Sequence, residues 1–398
     1  MNLKEQIQQL AKKNAAEIIA VRRHLHANPE LSFEEFETAK YVSQFLTSIN
    51  IGHTTGVAGT GIVALIPGKN PSKRTIALRA DMDALPITEA NDIDYKSKNI
   101  GVMHACGHDV HTSSLLGCAK ILSQLRNEFE GTVKLIFQPG EEKLPGGASL
   151  MIKANALENP KPNAILGQHV MPSIPVGKVG FRQGMYMASC DELYLTVKGI
   201  GGHAAMPDKL VDPVLIAANI IVSLQQIISR NCDPKTPAVL SFGKVIANGA
   251  TNIIPDEVKI EGTFRTLNEE WRKDAHARMK KMATAIAEGM GGECEFEIMG
   301  GYPFLKNEPQ LTARMQLAAE QYLGKENVLD LDLYMAAEDF SYYTQVLDAC
   351  FYRLGTRNEA QHIISGVHTT TFNVDENALE IGAGLMAWLA VEELGSMS

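Results

Sequence analysis

The fold class is decided by the apolar runs GIVALI (residues 61–66), TIALR (75–79), TVKLIFQ (132–138) and AILGQ (164–168). A helical pattern over residues 112–125 separates the second run from the third, with its apolar side chains on one face. Continuous apolar strands that alternate with helices are typical of a sheet covered on both faces. The sequence therefore predicts an α/β fold with a sheet between helices.

A different pattern occupies residues 185–299. Strands are predicted at 193–197, 238–242, 258–265 and 293–298, with helices at 213–228 and 269–290. The order βαββαβ is that of a small ferredoxin-like domain, which can be inserted into another domain. Asp212 before Pro213, and Asn268, are plausible N-caps for its two helices. We therefore expect a discontinuous domain of residues 1–184 and 296–398 and an inserted domain of residues 185–295.

Composition excludes several classes of function. Of 398 residues, 45% are hydrophobic and 21% charged, and the net charge is −9, so a basic nucleic-acid surface is not expected. No stretch is apolar enough to predict a membrane span, and the N-terminus lacks the pattern of a signal peptide. Six cysteines are scattered without a disulfide spacing, which favours reduced thiols and a cytoplasmic location.

The densest group of polar residues is MHACGHDVH (residues 103–111). It holds five side chains of types that commonly bind metals: His104, Cys106, His108, Asp109 and His111. Cysteine and histidine are preferred by zinc and related ions, so the group predicts a metal site. The alternative is that these residues cap and pack the start of the following helix, and the spacing alone favours metal only modestly.

A carboxylate pair follows the strand TVKLIFQ. Glu141 and Glu142 stand in FQPGEEKLPGGA, and neighbouring residues at a strand end point in opposite directions. One carboxylate could therefore bind a metal while the other acts as a general base. Taken alone, the pair would more often be two solvated charges.

Other candidates are scattered along the chain. His169 follows a predicted strand, His368 lies in GVHTTTF, and His203 lies in the glycine-flanked GIGGHAAMPD. A lone histidine is more often an ordinary hydrogen-bonding residue, and we keep that interpretation for the five others, His24, His26, His53, His276 and His362.

Polar residues at or near three other predicted strands complete the candidates. Asp81 and Asp83 in RADMDALP could orient a metal-bound imidazole. Arg265, on a predicted strand, could bind a substrate carboxylate, although a surface ion pair is about equally expected; Asn252 lies in TNIIPD.

Taken together, these motifs resemble the di-metal amidohydrolases that include hippurate hydrolases, aminoacylases, N-acetyldiaminopimelate deacetylases and plant auxin-conjugate hydrolases. They run over nearly the whole chain in the order RADMDALPI, GVMHACGHDVH, FQPGEE with PGGA, GQHV, GGHAA, NIIPD, GTFR, AAEDFSYY and VHTTTF. The resemblance implies a zinc-peptidase-like catalytic domain with an inserted lid and dimerisation domain.

The resemblance also implies roles for single residues. The metal ligands would be Cys106, His108, Glu142, His169 and His368, and Glu141 would be the general base. His203 would stabilise the oxyanion from a partner subunit, Asn252 and Arg265 would hold the substrate carboxylate, and Asp83 would support a ligand. The stretch Asp81–Met82–Asp83 stands where many relatives in the wider clan carry His-x-Asp, which places this chain in the branch with a cysteine ligand.

The function implied is hydrolysis of N-acyl-L-amino acids, such as N-acetyl, hippurate-like or N-acetyldiaminopimelate-like compounds. Two divalent ions, manganese or zinc with cobalt or nickel as options, would act in a cytoplasmic homodimer joined through the inserted domain, with no nucleic-acid or membrane partner. The nearest alternative is a carboxypeptidase or dipeptidase with the same chemistry. A non-catalytic binding protein is disfavoured because Glu141 and all five implied ligands are present.

Overall fold

The computed structural model describes residues 1–396 and divides into two compact units. The first unit contains Met1–Gly184, Lys306–Asp332 and the described chain from Asp339 onward; the second contains Met185–Leu305 and Leu333–Glu338. The main segment of the second unit ends at Leu305, whereas the boundary predicted from the sequence lies after residue 295, and Leu333–Glu338 also belongs to the second unit rather than to the first. The difference arises because the last strand of the second unit stays paired up to Gly300.

The secondary structure is numbered in chain order. The helices are α1 (Leu3–Ala27), α2 (Phe36–Ser48), α3 (His108–Gln124), α4 (Gly147–Lys153), α5 (Pro213–Gln226), α6 (Glu269–Gly289), α7 (Pro309–Leu323), α8 (Ser341–Thr344) and α9 (Asn377–Gly395). The strands are β1 (His53–Val57), β2 (Gly61–Pro67), β3 (Thr75–Asp81), β4 (Thr132–Gln138), β5 (Ala164–Pro175), β6 (Val179–Phe181), β7 (Gly184–Met187), β8 (Asp191–Lys198), β9 (Gly202–His203), β10 (Ala238–Ile246), β11 (Ile253–Ile254), β12 (Glu257–Thr266), β13 (Glu293–Gly300), β14 (Leu305–Asn307), β15 (Val328–Asp330) and β16 (Asp348–Arg357).

The first unit is built on an eight-stranded mixed sheet with the order β1-β2-β4-β3-β5-β16-β6-β15. Its centre is parallel, because β3 pairs in parallel with β4 and β5, and β16 pairs in parallel with β5. Every residue of β3 and β4 is buried, which explains why their sequences are continuous apolar runs rather than alternating ones. The predicted α/β class is confirmed.

Helices α1, α3 and α9 pack against one another, and α3 and α9 also contact β3. Helix α1 begins with a capping box, in which Asn2 accepts from the Glu5 amide and the Glu5 carboxylate accepts from the Asn2 amide. Helix α9 is buried nearly throughout, and its Trp388 indole donates to the Ala318 carbonyl on α7. These contacts place the amino end of α3 at the carboxyl end of β3.

The second unit contains a four-stranded antiparallel sheet with the order β10-β12-β8-β13. Helices α5 and α6 pack on it, and Asp212 and Asn268 cap their amino ends as predicted. Residues of β8 alternate between buried and less buried positions, so one face of the sheet forms the small core. This is the βαββαβ arrangement predicted from the sequence.

One stretch in the second unit, Pro213–Asn231, has the length and composition of a possible membrane span, and 33% of its most apolar 18 residues are buried. Core helices of soluble proteins pass the same test.

Candidate metal centre

Polar side chains of the first unit meet where its central parallel strands end. Asp81 is the last residue of β3, Glu141 follows the end of β4 by three residues, and His169 lies within β5. Because β4, β3 and β5 are parallel neighbours, their carboxyl ends lie at one edge of the sheet, where α/β proteins build their sites. The amino end of α3 brings His108 to this edge.

Three buried side chains form the first group. The Cys106 thiol lies 3.4 Å from Nε2 of His169, and these atoms lie within 4.8 Å of a ring nitrogen of His108. The turn before α3 makes the approach possible, because Gly107 has φ +83° and a Cβ there would lie 2.6 Å from Val170 Cγ2. Sulfur and imidazole nitrogen in one buried group are the donors that zinc and similar ions prefer.

A second group shares the same thiol. Cys106, Glu142 and His368 have ligand atoms within 4.8 Å of one another, and Nε2 of His368 lies 3.1 Å from Oε1 of Glu142. The amide of His368 donates to the Ala105 carbonyl, which ties its loop to the Cys106 segment. Glu141 lies beside both groups, with Oε2 3.9 Å from Nε2 of His108. The structure thus brings together six side chains from four separate segments of the chain.

Hydrogen bonds fix which nitrogen each buried imidazole presents. Nδ1 of His169 lies 2.7 Å from the Val170 carbonyl, which only accepts, so the proton is on Nδ1 and the Nε2 lone pair faces the Cys106 sulfur. Nδ1 of His108 bonds Oδ1 of Asp83 at 3.1 Å, and its buried Nε2 has no hydrogen-bond partner among residues 1–396. The nearest carboxylates to this nitrogen are Asp81 at 3.7 Å, Glu141 at 3.9 Å and Glu142 at 4.0 Å, and an unsatisfied buried nitrogen that faces them fits a cation between them.

The electrostatics without an ion fit the same interpretation. Burial alone would lower the pKa of His108, but the carboxylates of Asp81, Asp83 and Glu142 raise it to about 10. Burial, with Glu142 and Glu141 beside it, raises the pKa of the Cys106 thiol well above its usual range. A cation would relieve both effects, because it favours the thiolate and the neutral imidazole.

Asp83 and Asp81 support this centre in different ways. The Oδ2 atom of Asp83 accepts from the Ser32 hydroxyl at 2.6 Å and from the Glu142 amide at 3.0 Å, so Asp83 joins His108 to the glutamate loop. Asp81 binds Nδ1 of His111 at 2.6 Å.

The remaining nitrogen of His111 is also occupied. The Val170 amide donates to Nε2 of His111 at 2.9 Å, so neither ring nitrogen is left for a metal. His111 instead holds the backbone next to His169.

Two other members of the MHACGHDVH group face a separate buried cluster. Asp109 binds Arg22 and His26 at 2.8 Å each. His104 is buried, with neither ring nitrogen bonded among residues 1–396, and burial lowers its pKa to about 4.

The predicted substrate-contacting residues belong to the second unit. His203 is exposed in β9, and Nδ1 of its ring accepts from the Ala205 amide at 3.1 Å, which leaves the proton of the neutral ring on Nε2. The backbone carbonyl of the exposed Asn252 accepts from the Ala204 amide. Arg265 is half-buried on β12 and donates through Nη1 to the Met335 carbonyl at 3.3 Å.

Four residues that support the centre were not predicted from the sequence. These are Ser32 and Glu35 in the loop before α2, Arg79 in β3, and Asp339 before α8. Arg79 pairs with Asp81 and Asp339 while fully buried. The sequence does contain one signal for Arg79, because it is a charged residue in the apolar run TIALR. A charge that is buried in such a strand requires a partner of opposite charge.

A mixed α/β sheet whose strand ends carry a cluster of thiol, imidazole and carboxylate groups suits a metal-dependent hydrolase. The sequence model of Peptidase family M20/M25/M40 matches residues 77–392, and the chain belongs to this family.

Two relatives and one solved structure show the range of similar proteins. An N-acyl-L-amino acid amidohydrolase of Geobacillus stearothermophilus is 42% identical over 75% of this chain and 80% of its own length. Thermostable carboxypeptidase 2 of Saccharolobus solfataricus is 38% identical over 98% of this chain and 99% of its own. A Bacillus subtilis structure described as a dinuclear metal binding peptidase from the M20 family has a TM-score of 0.84 and 35% identity, covering 97% of this chain and 99% of that one.

The comparisons confirm three predictions made from the sequence. The chain resembles the amidohydrolase family first suggested by its motifs, it has that fold, and it is a hydrolase that acts on amide bonds. The family contains a dinuclear metal binding member, and this chain has clusters that could hold metal ions.

Proposed function

We propose that this enzyme hydrolyses the amide of N-acyl-L-amino acids to a carboxylate and a free amino acid. The observation that carries the proposal is the convergence of Cys106, His108, Glu142, His169 and His368 beside Glu141 in the first unit. The name of the Geobacillus relative, an N-acyl-L-amino acid amidohydrolase, supports the substrate class.

We assign two divalent ions, manganese or zinc, to five ligands: Cys106, His108, Glu142, His169 and His368. Nε2 of His108 has no hydrogen-bond partner among residues 1–396, and the unprotonated Nε2 of His169 faces the Cys106 sulfur, as expected of ligand nitrogens. When bound, such ions polarise the amide carbonyl and lower the pKa of water. Measuring activity of the chelator-treated enzyme after adding manganese, zinc, cobalt or nickel would identify the effective ion.

The remaining chemistry belongs to the side chains. Glu141 takes a proton from the attacking water as it adds to the carbonyl carbon, and it delivers that proton to the amide nitrogen as the C–N bond breaks. His203 carries its proton on Nε2 and is therefore able to donate to the developing oxyanion. The products are the free acid and the free amino acid.

Arg265 and Asn252 would recognise the carboxylate next to the scissile amide. The planar guanidinium has five donors, and the hydrogen bond from Arg265 to the Met335 carbonyl uses one nitrogen, Nη1. Substrates with an amidated carboxyl group should therefore bind poorly.

The proposal is tested by Glu141→Gln, which keeps the shape of the side chain and removes the base. Turnover should fall by at least about 100-fold, because general base catalysis contributes roughly 10²–10⁴-fold. Metal content, measured by plasma mass spectrometry, should stay at the wild-type level. Near-normal turnover in this variant would refute the assignment.

The alternative is a carboxypeptidase or dipeptidase, which the name of the Saccharolobus relative favours. Both reactions use the same groups and differ only in whether an acyl group or an amino acid lies on the carbonyl side. A panel of N-acetyl, N-benzoyl and dipeptide substrates at matched concentrations would separate them. Higher kcat/KM for dipeptides would favour the alternative.

We also propose that the enzyme is a cytoplasmic homodimer joined through the second unit. Apolar side chains are exposed on α5 and on the edge strand β10: Leu215 is 55%, Val222 73% and Val245 52% exposed. An unpaired edge strand beside apolar residues suits a symmetric interface. All six cysteines are free thiols, which supports a reducing compartment.

Sedimentation equilibrium tests the dimer. Wild-type protein should sediment as a dimer and Val222→Glu should shift it toward monomer, because a charge cannot be buried unpaired at an interface. Lys280→Glu at an exposed position of α6 is the control. A wild-type monomer at micromolar concentration would refute the proposed dimer.

A further inference from the structure

Glu35, in the loop between α1 and α2, is a fully buried carboxylate with three hydrogen bonds. Its Oε1 atom accepts from the amides of Phe33 and Gly140, each at 2.8 Å. Its Oε2 atom accepts from the hydroxyl of Thr60 at 2.5 Å. One side chain therefore joins its own loop, the turn before β2 and the segment that follows β4.

The bond to Gly140 acts on the residue directly before Glu141. Gly140 has φ +55°, and a Cβ at this position would lie 2.2 Å from Cε1 of Phe33, so the Phe33 ring packs directly on the glycine. Phe33 has φ +69°, a conformation that a bulky residue adopts only when its surroundings impose it. Glu35 holds the amides of both residues in this arrangement.

The same loop also holds the other side of the glutamate pair. Ser32 donates to Oδ2 of Asp83, and that oxygen accepts the amide of Glu142. The backbone amides on both sides of Glu141 are thus bonded to buried carboxylates, directly to Glu35 at Gly140 and to Asp83 at Glu142. The loop before α2 therefore restricts the backbone that carries Glu141.

We propose that Glu35 is a positioning residue for the catalytic base Glu141. This inference rests on the proposed function of Glu141. Glu35 acts through the Gly140 amide, and it fixes the direction in which the next side chain leaves the backbone. A displacement of about 1 Å at a catalytic group can cost roughly 100-fold in rate, so a fixed backbone at this point has a measurable effect.

The test compares Glu35→Ala with Glu35→Gln in the metal-loaded enzyme. The alanine variant should lose about 10- to 100-fold in kcat, with KM within about threefold and metal content unchanged, because the base is displaced while the ligands stay. The glutamine variant should recover kcat to within about fivefold of wild type, since its carbonyl can accept both amides and its NH₂ group can donate to Thr60. Glu34→Ala changes an exposed neighbour and should match wild type.

Hydrogen exchange provides a readout that does not depend on activity. Peptides that cover residues 137–142 should exchange at least about 10-fold faster in Glu35→Ala than in wild type, because the Gly140 amide loses its acceptor. If Glu35→Ala does not fold, Thr60→Val takes its place, because it removes one hydroxyl donor to Glu35 at nearly constant volume. It should lower kcat and speed exchange of residues 137–142, each by less than Glu35→Ala.

Three results would overturn the inference: wild-type kcat and exchange in Glu35→Ala, loss of metal in proportion to lost activity, or failure of Glu35→Gln to recover. If Glu35→Ala does not fold, wild-type kcat and exchange in Thr60→Val overturn it equally. An inactive wild-type enzyme on every N-acyl amino acid would instead refute the proposed function, and the exchange measurement would still report on the Glu35 contacts.

Discussion

The metal-ligand group of the first unit and the predicted substrate-contacting residues of the second unit differ in how they are held. Cys106, His108 and His169 are buried, and each of these two imidazoles is fixed by a hydrogen bond at its Nδ1. Of the other two assigned ligands, Glu142 is partly buried, and His368 is exposed but bonded through its backbone amide to Ala105. His203 and Asn252 are exposed, and short pairings of the backbone hold their segments.

This contrast separates two tasks that the proposed reaction requires. Ligand atoms need fixed directions and exclusion of water, which burial and shared hydrogen bonds provide. Groups that bind a substrate must be open to solvent before it arrives, and local order is enough for them. Removing a group of the first kind should abolish metal binding, whereas removing one of the second kind should leave the metal in place.

The largest effect is expected for His169→Ala. It removes a buried, unprotonated nitrogen that faces the Cys106 sulfur. Metal content should therefore fall below wild type and turnover by more than about 1000-fold, since the pKa of water rises when the ion is lost. Plasma mass spectrometry of dialysed protein and initial rates check this. His53→Ala, a half-buried histidine bonded to Ser43, is the control and should keep both values. Full metal content in His169→Ala would remove this residue from the ligand set.

A smaller effect, confined to kcat, is expected for His203→Ala. Loss of one oxyanion donor costs about 10²–10³-fold in kcat, and metal content should not change because His203 is exposed in the other unit. The two variants together test the contrast between the units. Loss of metal from His203→Ala would contradict the assignment of His203 as a residue that does not hold the metal.

Mixing His203→Ala protein with Glu141→Gln protein tests whether His203 acts in the site of the partner subunit. If His203 serves the partner's site, a mixed dimer contains one complete site, and statistical exchange should restore roughly a quarter of wild-type activity. Exchange of subunits must be verified by mass spectrometry of the mixed dimers. No recovery in verified mixed dimers would mean that each site is completed within one chain.

Much of the fold could be predicted because its central strands are buried on both faces. The apolar run at residues 132–138 coincides with β4, and the alternation of strands and helices gave the α/β class. Strand β1 was not predicted, because His53–Val57 is an edge strand with exposed residues and has no apolar signal. Strand β5 continues past His169 to Pro175, since pairing with β16 extends it beyond its apolar part.

The candidate site could be predicted in its residue types but not in its connections. Cysteine, histidine and paired glutamates stand out in sequence because their chemistry is rare in such density. The partner of each one is set by the fold: Asp83 binds His108, while Asp81 binds His111. Glu35 gave no signal, because one glutamate among the acidic residues of its loop looks solvated until the structure buries it.

The smallest expected effect concerns stability and involves a buried histidine that does not belong to the ligand group. His26 binds Asp109 through Nδ1 at 2.8 Å and Glu89 through Nε2 at 3.1 Å. Burial alone would lower the pKa of His26, and Arg22 also lowers it, but hydrogen bonds to Asp109 and Glu89 outweigh both and raise it. The ring is therefore protonated in the folded protein over a wider pH range than in the unfolded chain.

The sign of the pH dependence follows from this raised pKa. The contribution of His26 to stability is fully present below the unfolded histidine pKa of about 6.5 and is lost as pH rises through the higher folded value. His26→Gln should lower the free energy of unfolding by roughly 1–3 kcal/mol at pH 6, because the charged ring that bonds both Asp109 and Glu89 is lost. Urea unfolding of metal-free protein from pH 6 to 9 should show the gap to wild type narrowing as pH rises, with His24→Gln on the same helix as the control. A gap that widens with pH would mean that His26 is neutral in the folded protein, and that this buried cluster is held by Arg22 and Asp109 without it.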